Sequence, residues 1–353
     1  MIQIKKKYLK IIAVFVGFMT IGILFGAWIS APAYEGEKSD HFDGTKFRNR
    51  TKISAKGAWD IVKWGLTRTQ AHWKAITKTA SFEKPLERVE GKTLRVTFVN
   101  HSTFLIQTQG LNILTDPIWS DYTAPIQIAG PARQRPAGIR MEDLPPIDLI
   151  LISHNHYDHL DINTLLDLTK SHTPKIVTPL GISQFLENKN IPNSEDLDWW
   201  EMTQITKDIE IICVPAQHSS GRGLFDRDRT LWAGFVLKTP HGNLYFAGDT
   251  GYDAKIFQEI GERCAPLRLA FLPIGAYLPR WFMHPVHISP KQAVQVYEDL
   301  GQPQSIAMHF GTFPLADDGQ KTAPEDLRKA LFEKQIPTDK FRIPKEGKAL
   351  VFE

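Results

Sequence analysis

Two cysteines, Cys213 and Cys264, are all that the 353 residues contain. That rules out a disulfide framework, and neither thiol has the paired spacing of a cysteine metal site. An excess of either charge is missing too, since 42 Lys and Arg against 39 Asp and Glu give a formal net charge of +3. This balance speaks against a nucleic-acid partner, as does the lack of zinc-finger spacing, of an aromatic RNA-binding signature and of a long basic tract. Internal repeats and low-complexity segments are also absent. Asp249-Thr250-Gly251 looks like half of an aspartic-protease signature, but that chemistry needs two carboxylates sharing a proton, and there is no second copy. What remains is an ordinary composition, 42% hydrophobic, enough for the core of an enzyme-sized globular protein.

The N-terminus breaks this ordinariness. Lys5, Lys6, Lys7 and Lys10 precede a stretch without charge from Ile11 to Ile29. About 20 apolar residues can cross a bilayer as a helix, whereas the apolar region of a signal peptide is usually about 7–15 long. The reading is a basic cytoplasmic start at 1–10 and a transmembrane anchor at 11–30. Ala31-Pro32-Ala33 keeps open the alternative of a cleaved signal. Lysines before the span place the rest of the chain outside the cytoplasm, in the periplasm of a bacterial envelope. Residues 31–90 read as a tether and extension. Between Ala58 and Ile76, Trp59, Ile61, Val62, Trp64, Leu66 and Trp73 alternate with Lys63, Arg68 and Lys74. That pattern predicts a basic amphipathic helix, which either lies on a membrane or packs on the domain that follows.

From residue 91 to 353 the chain alternates short β-rich runs with helical stretches, the pattern of an α/β (α+β) catalytic domain. Strands are expected at 93–99, 103–107, 111–115, 147–152, 175–178, 209–214, 231–237, 244–247, 267–272 and 305–308. Helices are expected at 163–170, 182–188 and 290–300, the last with Ser289 before Pro290.

One of these strands delivers the most informative cluster. The apolar run Ile147 to Ile152 is followed directly by Ser153-His154-Asn155-His156-Tyr157-Asp158-His159. Three imidazoles and a carboxylate on the loop beyond a strand suit zinc and related divalent ions. His154 and His156 can converge on one ion while Asp158 and His159 turn toward a second. A single loop cannot surround two ions, so further ligands should cap later strands. His218 follows Ile211-Ile212-Cys213-Val214, Asp249 follows Leu244-Tyr245-Phe246, and His309 follows Ser305-Ile306-Ala307-Met308.

Taken together, His154-x-His156-x-Asp158-His159, His218, Asp249 and His309 resemble the pattern of the metallo-β-lactamase superfamily. Within it the chain is most similar to the N-acylphosphatidylethanolamine-hydrolysing phospholipase D family. Leu114-Thr115-Asp116-Pro117, Phe246-Ala247-Gly248-Asp249-Thr250-Gly251-Tyr252, Leu272-Pro273-Ile274-Gly275-Ala276-Tyr277, Pro279-Arg280-Trp281-Phe282-Met283 and His309-Phe310-Gly311-Thr312-Phe313 carry that likeness. The stretch after His218, Ser219-Ser220-Gly221-Arg222-Gly223, departs from the family's pattern.

The resemblance implies an αββα sandwich with the site at one edge of two sheets, here preceded by a transmembrane helix. It implies two zinc ions, with iron or manganese as alternatives. His154, His156 and His218 would hold one ion, Asp158, His159 and His309 the other, and Asp249 would bridge them. Water acidified between two such ions would be the nucleophile on a phosphodiester, releasing N-acylethanolamine and phosphatidic acid. His287 is the candidate proton donor to the leaving group, and Asp158 the residue whose loss should stop catalysis. His101 reads as a hydrogen-bonding neighbour of the site, and His41, His72, His172 and His241 as bystanders. The implied partners are a phospholipid substrate and a membrane, with a homodimer left open. The alternatives are a metallo-hydrolase of another phosphodiester or a lactone, and a non-catalytic metal-binding envelope protein.

Overall fold

A computed structural model describes residues 2–54, 56–77 and 83–353, with the side chains of 2–14, 18 and 58 outside the description. An N-terminal helix α1 (Ile2–Ile29) and a short α2 (Ala58–Thr67) precede the strands. The first sheet comprises β1 (Leu94–Asn100), β2 (Thr103–Thr108), β3 (Leu111–Thr115), β4 (Leu149–Leu151), then α3 (Ile162–Ser171), β5 (Lys175–Pro179), α4 (Ile182–Glu187) and β6 (Ser194–Leu197). The second half of the chain supplies β7 (Met202–Thr206), β8 (Ile209–Pro215), β9 (Ala233–Lys238), β10 (Asn243–Phe246), α5 (Ala254–Arg263), β11 (Leu267–Pro273), α6 (Arg280–Met283), α7 (Pro290–Asp299), β12 (Gln304–Met308), α8 (Thr322–Glu333), β13 (Phe341–Arg342) and β14 (Ala349–Phe352).

Among the described residues these strands form two seven-stranded mixed sheets, in the orders β14-β1-β2-β3-β4-β5-β6 and β13-β12-β11-β10-β9-β8-β7. Alternation along each strand explains the layering, because successive side chains leave opposite faces. Leu94, Val96, Phe98, Phe104, Ile106, Leu149, Leu151 and Val177 enter the core between the sheets, with Phe235, Phe271 and Met308 from the other side. Their neighbours Val99, Leu105, Ile150 and Ile176 point outward and pack with Leu165, Leu168, Phe185 and Leu186 of α3 and α4. A strand covered on both faces reads as a continuous apolar run, which is why Leu149-Ile150-Leu151 has no polar partner face. The chain is thus an αββα sandwich. Its capping is local: Asp161 accepts from Asn163 N at α3, and Ser289 with Gln292 forms a capping box at α7.

Several N-terminal expectations change. No helix among the described residues is long and apolar enough to cross a membrane, so the span expected over 11–30 is without support, and the side chains of 11–14 and 18 lie outside the description. The amphipathic helix expected to Ile76 stops at Thr67. The 314–318 loop claims Trp64 within the helix and the groups beyond it. Arg68 Nε and Trp64 Nε1 reach Asp317 Oδ1 at 3.1 and 3.2 Å, Gln70 Nε2 donates to Pro314 O at 2.8 Å and Trp73 Nε1 to Asp318 O at 3.1 Å. Trp64 also stacks on Phe282 with ring centres 4.8 Å apart, while Trp59 and Leu66 stay exposed.

The segment expected to be a tether is held against the sandwich. Ala31 N donates to Asp226 Oδ2 at 2.8 Å, Tyr34 N to Arg229 O at 3.1 Å and Phe47 N to Asp228 O at 2.8 Å. Phe42 and Phe47 are buried in the inter-sheet core. His41, read as a bystander, is the clasp. Its Nδ1 faces Asp40 Oδ1 at 2.5 Å and its Nε2 faces Asp198 Oδ1 at 2.7 Å, and the ring stacks on Trp199 at 4.4 Å. Trp199 is itself core, its Nε1 donating to Trp232 O.

Burial works against a charge on His41, but the hydrogen bonds to Asp198 and Asp40 outweigh it and raise the imidazole above 6.5. A raised folded value means the clasp stabilises fully below the unfolded imidazole's pKa and is lost as pH rises through the folded one. His41→Gln should therefore cost about 1 kcal/mol at about pH 5 and distinctly less at about pH 9, read from melting temperatures. An equal loss at both values would show that the charge contributes nothing.

Candidate metal centre

Each candidate ligand sits just past the carboxyl end of a strand. His154, His156, Asp158 and His159 follow β4, His218 follows β8, Asp249 follows β10 and His309 follows β12. Because β3, β4 and β5 run parallel, as do β10, β11 and β12, these ends gather at one edge of the sandwich. The turns there are tight. His101, Asp116 and His309 hold φ of 46°, 35° and 59°, in the left-handed region that side chains with a Cβ avoid. Hydrogen bonds hold them there: His309 N to His101 O at 2.8 Å, His101 N to Thr312 Oγ1 at 3.0 Å and Asp116 N to Leu151 O at 2.8 Å. Gly248, before Asp249, has φ 59°, and a Cβ on it would meet the Cβ of Ser153 at 2.6 Å. Only glycine allows the two loops this approach.

All seven expected ligands meet, in overlapping groups whose donor atoms lie within 4.8 Å of one another. In one half, His154 Nε2 is 2.9 Å from His156 Nδ1, which is 3.3 Å from His218 Nε2. In the other, Asp158 Oδ2 is 3.3 Å from both His159 Nε2 and His309 Nε2. Asp249 Oδ2 reaches into both halves, 3.2 Å from His159 Nε2, 3.0 Å from His309 Nε2 and 3.9 Å from His218 Nε2. His287 lies beside them, with Nδ1 3.7 Å from Asp249 Oδ2 and its ring 5.2 Å from that of His218. His101, read as a hydrogen-bonding neighbour, enters the same group: its Nε2 lies 3.0 Å from Asp158 Oδ2, and it stands with Asp158, His159 and His309 among residues whose ligand atoms lie within 4.8 Å of one another.

The residues behind the ligands settle which nitrogen faces the centre. Asp116 Oδ2 takes His159 Nδ1 at 2.6 Å, and Asp116 is itself fixed by Ser153 N and Oγ at 2.7 and 2.6 Å. Ser153 Oγ also meets His154 Nδ1 at 2.9 Å, and Val286 O accepts from His218 Nδ1 at 2.9 Å. With Nδ1 engaged, His154, His159 and His218 turn Nε2 inward, as metal-binding imidazoles do. Asp116 lies in a motif that carries the family likeness, yet its position beside His159 is not readable from the sequence. Ser153 and Val286 lie beside expected site residues, but nothing in the sequence shows that their oxygens take His154 and His218 Nδ1.

The electrostatics divide the cluster. Burial, reinforced by neighbouring imidazoles, holds His154 well below its ordinary pKa, and burial likewise depresses His156 to about 4 and His218 to about 3. These three are neutral at pH 7, the form a metal requires. Burial alone would raise Asp158 and Asp249, but His159 and His309 outweigh it, and both carboxyls stay well below the usual range. Reciprocally, His309 rises to about 9 against the cost of burial. Two buried carboxylates thus demand positive charge, and without a metal only protons on the imidazoles supply it. Asp249 Oδ1 is buried with no hydrogen-bond partner. Neutral nitrogens, carboxylate oxygens and an unpartnered carboxylate atom fit divalent cations of the zinc, iron or manganese type.

Over this centre opens a cavity of about 1120 Å³, with His156, His218 and His287 among its lining. Its walls carry Arg48, Arg50, Lys52, Lys56, Arg222 and Arg227 against one acid, Asp228, and include apolar Ile53, Ile61, Trp232 and Phe282. The departing stretch after His218 thus places Arg222 at the site. Arg222 Nη1 donates to Asn155 O and Leu160 O at 2.8 Å, stapling the ligand loop.

Comparison with known proteins agrees with this arrangement. Residues 111–310 match the β-lactamase superfamily domain. An N-acyl-phosphatidylethanolamine-hydrolyzing phospholipase D of Caenorhabditis elegans is 38% identical over 249 residues, 68% of this chain and 70% of that one. A mitochondrial protein of the same description from Saccharomyces cerevisiae is 35% identical over 276 residues, 76% of this chain and 58% of that one. Among solved structures, a metallo hydrolase from Ignicoccus hospitalis superposes with a TM-score of 0.55 at 25% identity, covering 74% of this chain and 99% of that one.

Asp116→Asn keeps the shape of the group that holds His159 but removes its charge. It should weaken metal uptake about 10- to 100-fold, as loss of such supporting partners does. Competition of Zn²⁺ against a chromophoric chelator, on protein shown to be folded by circular dichroism, measures this. Unchanged affinity would mean that Asp116 supports the loop alone.

Proposed function

The chain belongs to the β-lactamase superfamily, and from that premise we propose that this metal-dependent hydrolase is a zinc phosphodiesterase acting on N-acylphosphatidylethanolamine to release N-acylethanolamine and phosphatidic acid. The observation that carries the reading is the cavity: its cationic walls stand directly over the histidine and aspartate centre. A phosphodiester is an anion, and Arg48, Lys52, Lys56 and Arg227 raise its local concentration before any contact is made. The apolar patches of Ile53, Ile61 and Phe282 suit the start of an acyl chain. The names of the worm and yeast relatives support the same substrate.

Two ions held by the seven ligands would supply Lewis acidity toward the phosphoryl oxygens and lower the pKa of water beside them. The protein's own groups do the rest. Asp158 and Asp249, with Oδ2 3.0–3.3 Å from the Nε2 atoms of His159 and His309, would share the ion of the second half with those imidazoles. His287, at the cavity wall and beside Asp249, is depressed by burial to about 3, so its neutral ring is placed to donate an N–H hydrogen bond to the departing alkoxide. Arg222 keeps the ligand loop closed beneath the substrate.

A lipid substrate calls for contact with its bilayer, and the face around the cavity supports it. Trp281 is 40% exposed with Lys63 4.8 Å from its ring centre. Phe15, Ile21, Leu24 and Trp28 of α1 and Leu224 beside it are exposed too. Aromatic and cationic side chains together suit a lipid interface. This is contact with a membrane surface and implies no crossing.

Mixed micelles of N-acylphosphatidylethanolamine with the metal-loaded protein should yield phosphatidic acid and N-acylethanolamine by mass spectrometry. Chelation and Asp158→Asn should abolish both products. Turnover of a soluble phosphodiester or a lactone by the same preparation, with none of the lipid, would overturn the lipid reading in favour of another ester. His287→Ala should lower kcat by about 10²–10⁴-fold with metal content unchanged. A fall that tracks metal loss would instead make His287 part of the centre's support.

A further inference from the structure

His218 stands at the end of β8, where the chain has left the sheet and its backbone groups have lost strand partners. They are paired by a side chain from 169 residues away. Asn49 Nδ2 donates to His218 O at 2.8 Å, and Asn49 Oδ1 accepts from His218 N at 2.9 Å. The same Oδ1 accepts from Trp232 Nε1 at 3.1 Å. One primary amide therefore closes a ring with the N–H and C=O of a single residue, imitating the next strand of the sheet. That ring needs a donor and an acceptor side by side on a short arm, which Asn provides. Asp would set a second oxygen against the His218 carbonyl, and Ser cannot span both groups.

The consequence for the centre is geometric. With the main chain held by Asn49 and Nδ1 by Val286 O at 2.9 Å, the His218 ring has no freedom left, and Nε2 is directed at His156 and Asp249. Among the described residues, no other candidate ligand has its backbone hydrogen-bonded from the N-terminal segment. The segment is itself docked on both sides of Asn49, by Phe47 N to Asp228 O at 2.8 Å and by Thr51 Oγ1 to Asp253 Oδ2 at 2.5 Å.

We propose that Asn49 is a positioning residue of the metal centre, fixing His218 for the half that it shares with His154 and His156. This rests on the reading of the cluster as a two-metal site. The Asp158, His159 and His309 half does not touch Asn49, so the two halves should respond differently to its loss.

The test uses the full chain, stripped of metal and titrated with Zn²⁺ alone in competition with a chromophoric chelator. Asn49→Asp is expected to weaken one of two equivalents by about 10- to 100-fold and leave the other at wild-type affinity. His41→Gln, which loosens the same segment without touching His218, should lower the melting temperature and leave both equivalents unchanged. If Asn49→Asp binds both equivalents like the wild type, or loses both in step with its melting temperature, the assignment is overturned. Where Asn49→Asp does not fold, Asn49→Ser is read in the same way, and failure of both to fold makes Asn49 a structural residue and overturns the proposal. A wild-type chain that takes up no Zn²⁺ overturns the two-metal reading and this assignment with it; a wild type with two equivalents and an unaltered variant overturns the assignment alone.

Discussion

Asp116, Asp158 and Asp249 are carboxylates taken almost wholly out of water at one edge of the sandwich, and the rest of the molecule is arranged around the need to compensate them. Leaving one buried carboxylate unpaired costs several kcal/mol. A residue in the left-handed region costs about 1–3 kcal/mol. The electrostatic term is the larger, so the chain accepts backbone strain at His101, Asp116 and His309 to bring imidazoles against the carboxylates. The closeness of Gly248 to Ser153 follows from the same demand, because the Asp249 and His154 loops must meet. Strain at these positions is thus a consequence of the charge arrangement.

The sandwich provides the rigid edge that such an arrangement requires. Alternate residues of β1, β2, β4 and β5 serve two separate packing layers, so a one-residue slip would exchange the layers and move every loop that carries a ligand. Register and site geometry are one constraint here. The same alternation made the fold legible in the sequence. Runs such as Leu149-Ile150-Leu151 and Ala270-Phe271-Leu272 announce strands buried on both faces, and histidine or aspartate directly beyond an apolar run announces the centre.

Other parts were not legible, for physical reasons. Ser194-Glu195-Asp196-Leu197 forms the edge strand β6 without an apolar pattern, since one side of it has no neighbouring strand to satisfy. β14 closes the opposite edge by pairing Leu94 to Thr97 with Ala349 to Phe352, a contact between segments far apart in the sequence that no local pattern encodes. The helix through Ala58 to Ile76 carried a true apolar period, but hydrogen bonds to the 314–318 loop outweighed it beyond Thr67. His41 looked like a bystander because neither of its flanking residues reveals Asp198, 157 positions away.

The N-terminal segment gains a meaning from these long-range contacts that its composition hides. Arg48, Asn49, Arg50, Lys52 and Lys56 all line the cavity, so one stretch of chain contributes much of the positive wall and also the amide on His218. Arg50 is paired with Glu259 and Arg48 with Asp43 at 2.5 Å, which leaves Lys52 and Lys56 as the cations of this stretch with no ion-pair partner within 4.0 Å among the described residues. A cation over a cavity that keeps its charge uncompensated costs little while solvated, and it is available to an anionic group that displaces the water. A displacement of the 48–52 stretch itself would therefore move cavity-wall cations and the amide on His218 together. On the proposed reading, recognition and metal holding would be coupled through this stretch outside the sheets.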